Sequence, residues 1–170
     1  DLVRSRGLGD VYKRQETGAR TELLPLGKLR IEECDGCHTC WETEVCRIND
    51  GMTEVYKKLM ESDCIILATP MYWFSPTVPM KAFMDRLVYF CCPKNEDKIK
   101  GKEVILATVF AGQDQAEASP LLKILTMSAD YLGMKLKGKI LAPGVGEKGA
   151  INRKKRKLKE ALKLGRLIGR

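Results

Sequence analysis

The sequence predicts an α/β fold with a mostly parallel sheet. Cys64–Thr69 and Val104–Phe110 are continuous apolar runs, which are typical of strands that are buried on both faces. Stretches with helical spacing of apolar residues lie between and after these runs. Strands that alternate with helices build parallel sheets, and 170 residues is a usual length for one domain. We therefore expect a single α/β domain.

The other elements have their own signals along the chain. Apolar residues recur at helical spacing in four segments, which are Met52–Met60, Pro79–Phe90, Ser119–Leu132 and Asn152–Ile168. Ser119 is a suitable N-cap, Pro120 suits the first helical position and Gly133 suits the end of the same helix. Two more strands are predicted, at Thr21–Leu26 and Lys135–Ala142.

The first 15 residues do not fit this pattern. They contain no apolar strand and show only weak helical periodicity, although a sheet of this type should begin with a strand and a helix. We therefore expect residues 1–15 to be a non-native segment that replaces the first strand, and residues 16–170 to form the domain.

The net charge of +8 is concentrated at the two ends of the chain. Residues 1–15 carry a net +2, residues 16–146 a net −2 and residues 147–170 a net +8. A basic tail can bind nucleic-acid phosphates, but no aromatic residue follows Tyr131 to stack on a base. We interpret the tail as the solvated face of a terminal helix and expect no nucleic-acid partner.

The composition indicates a reduced, cytoplasmic protein. No apolar run approaches the roughly 18 residues that a membrane helix needs, and the first residues lack the apolar segment of a signal peptide. Seven cysteines are present, which is an odd number. In a cytoplasmic protein this favours a metal or redox site over a disulfide framework.

Four of the cysteines form a motif with the spacing C-x2-C-x2-C-x5-C. The four are Cys34, Cys37, Cys40 and Cys46, within a cysteine-rich loop at residues 34–50. Two intervening residues let a tight turn aim both sulfurs at one centre, and the spacing is close to that of a [4Fe–4S] site. Zinc with His38 as a ligand, or plain thiols with or without a disulfide, are the alternatives. Cys64, Cys91 and Cys92 are expected to be packing residues.

Two loops follow the carboxyl ends of the predicted strands, where open α/β sheets bind ligands. The first loop consists of Pro70, Met71, Tyr72, Trp73, Phe74 and Ser75. Its three consecutive aromatic residues suit a flat aromatic cofactor or a hydrophobic dimer contact. The second loop begins with Phe110, Ala111 and Gly112, whose small residues would let the backbone approach a ring closely.

Two other motifs receive structural interpretations. Gly144–Gly149 matches G-x-G-x-x-G, but the ribose-binding acid expected about 20 residues later has no candidate, so we interpret it as a loop. Asp85 and Arg86 lie in a predicted helix, where a solvated pair is expected and an ion pair at an interface is the alternative.

Taken together, the four motif cysteines, Pro70-Met-Tyr72-Trp73, Lys81-Ala-Phe-Met-Asp85-Arg86 and Gly144–Gly149 resemble the iron–sulfur flavoproteins. These proteins belong to the NADPH-dependent FMN reductase-like branch of the flavodoxin-like superfamily. The resemblance covers about residues 16–170 and implies a flavodoxin-like, doubly wound parallel sheet, FMN, a [4Fe–4S] cluster and a homodimer or homotetramer.

The resemblance also implies roles for particular residues. Pro70–Ser75 corresponds to the loop that packs on the flavin, Phe110–Gly112 to the loop beside it, and the four cysteines to the cluster ligands. The family holds the FMN phosphate with a loop after the first strand, at a helix N-terminus. No such loop is found in this sequence, and residues 1–15 stand in its place.

The function that the resemblance implies is electron transfer by an FMN-dependent oxidoreductase. FMN would accept a hydride or an electron pair from NAD(P)H, or electrons from a ferredoxin-like protein, and would exchange single electrons with the cluster. A cluster-free FMN or quinone reductase of the same fold is the alternative, and a zinc-stabilised binding module is the remote one. No catalytic residue is assigned.

Overall fold

The computed structural model describes residues 20–166, which contain a three-stranded parallel sheet. The strands are β1 (Cys64–Pro70), β2 (Glu103–Val109) and β3 (Lys135–Ala142), and they lie in that order across the sheet. Cys64 lies opposite Glu103 and Pro70 opposite Val109, so β1 and β2 end at the same edge. The predicted α/β class and all three of these strands are confirmed.

Five α-helices surround the sheet in the described part of the chain. They are α1 (Thr39–Thr43), α2 (Gly51–Glu61), α3 (Val78–Arg86), α4 (Ser119–Tyr131) and α5 (Lys155–Gly165). Short 3₁₀ helices lie at Leu26–Lys28, Leu87–Cys91, Glu96–Lys98, Gln115–Ala118 and Ala150–Arg153. No helix within residues 20–166 is long and apolar enough to cross a bilayer.

The sheet is buried on both faces, as the continuous apolar runs predict. On one face, Val104 and Leu106 join a large core with residues of α2, α3 and α4. On the other face, Ile105, Ala107 and Val109 join a smaller core with α5. The helices therefore cover both sides of a parallel sheet, which is the doubly wound arrangement.

Several predicted boundaries differ from the structure. The strand prediction at Thr21–Leu26 is wrong, because residues 21–25 form no strand and a 3₁₀ turn begins at Leu26. Leu24 and Leu26 instead pack against the large core, so their apolar character reflects burial against helices. The predicted helix at Pro79–Phe90 ends its α-helical part at Arg86 and continues as a 3₁₀ helix.

The ends of the last two helices also differ in detail. Ser119 is the first residue of α4 and not its N-cap, because the 3₁₀ turn capped by Asp114 runs directly into that helix. The terminal helix begins at Lys155, three residues after the predicted start. The prediction for residues 1–15, and the predicted end of the terminal helix at Ile168, lie outside the described residues.

Candidate functional site

The cysteine-rich loop brings four thiols to one pocket beside the end of α3. Cys34, Cys37, Cys40 and Cys46 all line this pocket, whose volume is about 380 Å³ including the solvent at its mouth. All four are free thiols, so the disulfide alternative is not formed in this structure. The pocket floor includes Tyr56, Arg86 and Tyr89, which belong to α2, α3 and the 3₁₀ helix after α3.

Backbone turns explain how the loop gathers these residues. Gly36 and His38 have left-handed φ values of 70° and 55°, and Asp35 Oδ1 accepts a hydrogen bond of 3.2 Å from the Cys37 N–H. An aspartate that binds the backbone two residues later forms a tight turn. The single turn of α1 follows, and it buries Cys40.

The four thiols differ in their electrostatic surroundings. Hydrogen bonds from Thr39 lower the pKa of the exposed Cys37 thiol. Burial raises the pKa of Cys40, and the neighbouring Cys46, Cys34 and Cys37 raise it further. Four thiolates would thus repel one another, and a metal centre that binds thiolates would offset this repulsion.

The four motif cysteines do not form a ready-made site for a single metal ion. Among residues 20–166, no three cysteine, histidine or acidic side chains are arranged to hold one metal ion, which is what tetrahedral zinc requires. In a [4Fe–4S] cluster each thiolate binds a different iron atom, so the four sulfurs surround a larger volume. The four free thiols that line one pocket supply the number of ligands that such a cluster needs.

Arg86 is a residue of the site that sequence reasoning missed. Its side chain is 1% exposed and pairs with Asp50, whose side chain is 2% exposed, at 2.8 Å. The expectation of a solvated Asp85–Arg86 pair is wrong, because Asp85 pairs with Lys81 on the surface while Arg86 points inward. The signal was present, since Arg86 lies three residues after the buried Phe83 on the apolar face of the helix.

The aromatic loop after β1 adopts a strained turn. Tyr72 and Ser75 exchange backbone hydrogen bonds of 3.1 and 3.0 Å. Between them Trp73 and Phe74 have φ values of 49° and 61°, a conformation that two-residue hairpin turns usually give to Asn-Gly. A left-handed residue other than glycine costs about 1–3 kcal/mol, and such strain clusters at functional sites.

This turn also exposes its rings to solvent. Trp73 is 94% exposed and Phe74 is 51% exposed, whereas Pro70 is buried and Met71 packs against the large core. The strained turn therefore presents an apolar, aromatic surface at the edge of the sheet. Such a surface fits the aromatic ring system of a flavin.

The loops that follow the three strands meet at this edge. The Met71 N–H donates to the Val109 carbonyl at 3.1 Å, and the Val145 N–H donates to the Phe110 carbonyl at 2.8 Å. Phe110 is 1% exposed, so it contributes only backbone at the edge. Ala111 is exposed, and Gly112 lies against the carboxylate of Glu117, which would have to move if a side chain were added there.

Comparisons with known proteins agree with these observations. The family model described as NADPH-dependent FMN reductase matches residues 5–142. An iron–sulfur flavoprotein of Archaeoglobus fulgidus is 32% identical over 103 residues, which are 61% of this chain and 46% of that protein. One of Methanocaldococcus jannaschii is 38% identical over 71 residues, which are 42% of this chain and 37% of that protein. The matches span less than half the length of both relatives.

A solved structure gives the fold. The structure titled a putative quinone reductase from Klebsiella pneumoniae is 14% identical and superposes with a TM-score of 0.73 over 99% of this chain and 80% of that chain. At this identity the likeness concerns the fold alone. The predicted flavodoxin-like fold is confirmed.

Proposed function

The chain belongs to the NADPH-dependent FMN reductase family, and from that premise we propose that it is an FMN-dependent oxidoreductase carrying a [4Fe–4S] cluster. The cluster ligands are Cys34, Cys37, Cys40 and Cys46. The observation that carries this proposal is that the four thiols line one pocket although the first and the last are 12 positions apart. The names of the similar iron–sulfur flavoproteins support it.

FMN is proposed to bind at the edge formed by the loops after the strands. The exposed rings of Trp73 and Phe74 would pack on the flavin, and the backbone at Ala111 and Gly112 would lie beside it. Bound FMN exchanges electrons in pairs or singly and a [4Fe–4S] cluster exchanges them singly, so together the two groups couple a two-electron donor to a one-electron acceptor.

Helix α3 connects the proposed flavin site to the proposed cluster site. It begins at Val78, three residues after the aromatic turn, and ends at Arg86 beneath the cysteine loop. At a rise of 1.5 Å per residue this helix separates its two ends by about 12 Å. One rigid element therefore fixes the spacing between the proposed flavin and the proposed cluster.

NAD(P)H is the proposed electron donor, because the family is named for NADPH-dependent FMN reduction. A ferredoxin-like protein is the other candidate donor or acceptor. We propose a homodimer or homotetramer in the cytoplasm. The exposed Tyr72, Trp73, Phe74 and Val78 suit a subunit contact, and the free thiols suit a reducing compartment.

The proposal is tested by anaerobic purification of the full chain, followed by a visible spectrum with iron, sulfide and flavin assays. We expect FMN together with four iron and four sulfide per chain. Cys37→Ala should lose the iron and sulfide and keep the FMN, because one of four ligands is removed and the aromatic turn is intact. Cys64→Ala is the control, because Cys64 lies in β1 and outside the four-cysteine motif. It should keep both the FMN and the iron and sulfide.

Other results would select a different function. Flavin without iron or sulfide in the wild-type chain would identify a cluster-free FMN or quinone reductase. Unchanged iron content in Cys37→Ala would contradict the ligand assignment. Zinc without flavin, together with salt-dependent nucleic-acid binding, would favour the alternative that the chain is a zinc-stabilised binding module.

A further inference from the structure

Arg86 holds the two ends of the cysteine loop together. Its Nη1 donates to the carbonyl of Glu32 at 3.0 Å, and its Nη2 donates to the carbonyl of Ile48 at 3.3 Å. Glu32 precedes Cys34 by two residues, and Ile48 follows Cys46 by two. One planar guanidinium thus fixes both ends of the segment that contains all four thiols.

The orientation of this guanidinium is set from the opposite side by Asp50. The Asp50 carboxylate accepts hydrogen bonds from Arg86 Nη1 at 2.8 Å and from Nη2 at 3.3 Å. The same carboxylate accepts from the backbone N–H groups of Glu32 at 2.8 Å and Met52 at 2.9 Å, and it caps α2. Since both carboxylate oxygens are engaged, the guanidinium has little freedom to turn.

In this orientation Arg86 reaches one of the four sulfurs directly. Its Nη2 donates to Cys46 Sγ at 3.4 Å. The contact lies in the interior, where the Arg86 side chain is 1% exposed, so water screens its charge weakly. None of the other three motif cysteines has a hydrogen bond to a charged side chain among the contacts of residues 20–166.

We propose that Arg86 is a positioning residue for the [4Fe–4S] cluster, closing the cysteine loop and donating a hydrogen bond to the Cys46 sulfur that binds iron. This inference rests on the proposed function. A hydrogen bond and a positive charge at a ligand sulfur stabilise the reduced, more negative cluster and so raise its reduction potential. Arg86 thus sets the potential as well as the shape of the site.

The test uses Arg86→Lys in the full chain, reconstituted with iron and sulfide. Lysine keeps the positive charge near Asp50, but it lacks the planar fork and cannot hold two carbonyls, a carboxylate and a sulfur together. We expect the cluster to form with a reduction potential shifted below that of the wild type in a redox titration. Arg30→Lys is the control and should leave the potential unchanged, because the Arg30 side chain is 86% exposed.

A second measurement tests the closure of the loop without a cluster. In the iron-free chain, Arg86→Lys should increase the rate of amide hydrogen exchange at residues 33–48, and Arg30→Lys should not. If Arg86→Lys fails to fold, Arg86→Gln combined with Asp50→Asn removes both buried charges, and the same two measurements apply to it.

The outcomes separate this inference from the function on which it rests. A wild-type chain that takes up no iron overturns both. A wild-type chain with a full cluster, and an Arg86 variant whose reduction potential and loop exchange equal those of the wild type, overturns the role of Arg86 alone. A lowered potential with faster exchange at residues 33–48 supports it.

Discussion

At the scale of single residues, the Asp50–Arg86 pair connects the fold to the site. Burial alone would raise the pKa of Asp50, but hydrogen bonds from Arg86 and from the backbone N–H groups of Glu32 and Met52 outweigh it, and the pKa is lowered. Burial alone would likewise lower the pKa of Arg86, but the hydrogen bond with Asp50 raises it. Both groups are therefore charged in the folded protein at neutral pH.

The sign of the resulting pH dependence follows from the lowered pKa of Asp50. Its ordinary value in an unfolded chain is about 3.9. The stabilisation by Asp50 is therefore fully present above that pH, and it is lost as the pH falls through the lower folded value. Asp50→Asn should remove this part of the acid dependence. It should also cost about 3–5 kcal/mol at pH 7, because a buried guanidinium is left without its partner.

Urea unfolding of the variant and the wild type between pH 2 and pH 7 measures both effects. Asp85→Asn is the control, because Asp85 forms an exposed ion pair with Lys81, and we expect a change of less than about 1 kcal/mol. Parallel stability curves for Asp50→Asn and the wild type across the acid range would contradict the pKa assignment.

Sequence reasoning identified the four thiols and the aromatic turn but not the pair that supports the thiols. Cysteine spacing is local, so Cys34 to Cys46 can be read from one stretch of chain. The contact between Asp50 and Arg86 joins residues 36 positions apart. Nothing in the sequence around either residue indicates that the other is its ion-pair partner. A charged residue on the apolar face of a predicted helix is the one local sign of such a contact.

At the scale of elements, the three strands of the sheet could be predicted closely, whereas the helix ends and the conformation of Thr21–Leu26 could not. The strand β2 is apolar except at Glu103 and Thr108, because both of its faces are covered. This apolar run can be recognised without knowledge of the strands beside it. The end of α3 depends on a distant side chain, since the carbonyl of Arg86 accepts a hydrogen bond of 2.9 Å from the Tyr56 hydroxyl. That carbonyl lies where the helix gives way to a 3₁₀ turn.

The aromatic turn is the element whose strain is most easily removed. Replacing Trp73-Phe74 by Asn-Gly keeps the turn and removes the backbone strain at two left-handed residues. We therefore expect the free energy of unfolding to rise by about 1–3 kcal/mol. The same change removes both exposed rings, so FMN affinity should fall at least tenfold. Urea unfolding of the flavin-free chain and fluorescence titration with FMN measure the two effects.

Tyr131→Gln is the matched control, because Tyr131 is an aromatic residue that is 81% exposed on α4. This substitution should change neither the free energy of unfolding nor the FMN affinity appreciably. Unchanged FMN affinity in the Asn-Gly variant would contradict the assignment of this turn to the flavin.

At the scale of the whole molecule, α5 covers the second face of the sheet, and one of its contacts with β3 is especially close. A Cβ atom at Gly138 of β3 would lie 2.7 Å from the side chain of Leu164 in α5. Gly138→Ala should therefore destabilise the fold by about 1 kcal/mol, the lower end of the usual cost of overpacking, because the Leu164 methyl groups can move aside. Combining it with Leu164→Ala should recover part of the loss, because the shortened side chain makes room.

Thermal or urea unfolding of the two single variants and the double variant measures this coupling. Gly146→Ala is the control, because its Cβ would meet only Ala111 at an ordinary distance of 3.5 Å. Strictly additive effects of Gly138→Ala and Leu164→Ala would show that the two residues do not constrain the approach of α5 to the sheet.

The chain contains two tryptophans, and each lies at one of the proposed cofactor sites. Trp41 is in α1 within the cysteine loop, with its ring edge-on to that of His38 at 5.1 Å, and Trp73 is the exposed tip of the aromatic turn. The protein therefore has an intrinsic fluorophore at each site. With one tryptophan replaced by phenylalanine, the emission of the other would report cofactor uptake from its own position, and it should respond most strongly when the nearer site is filled.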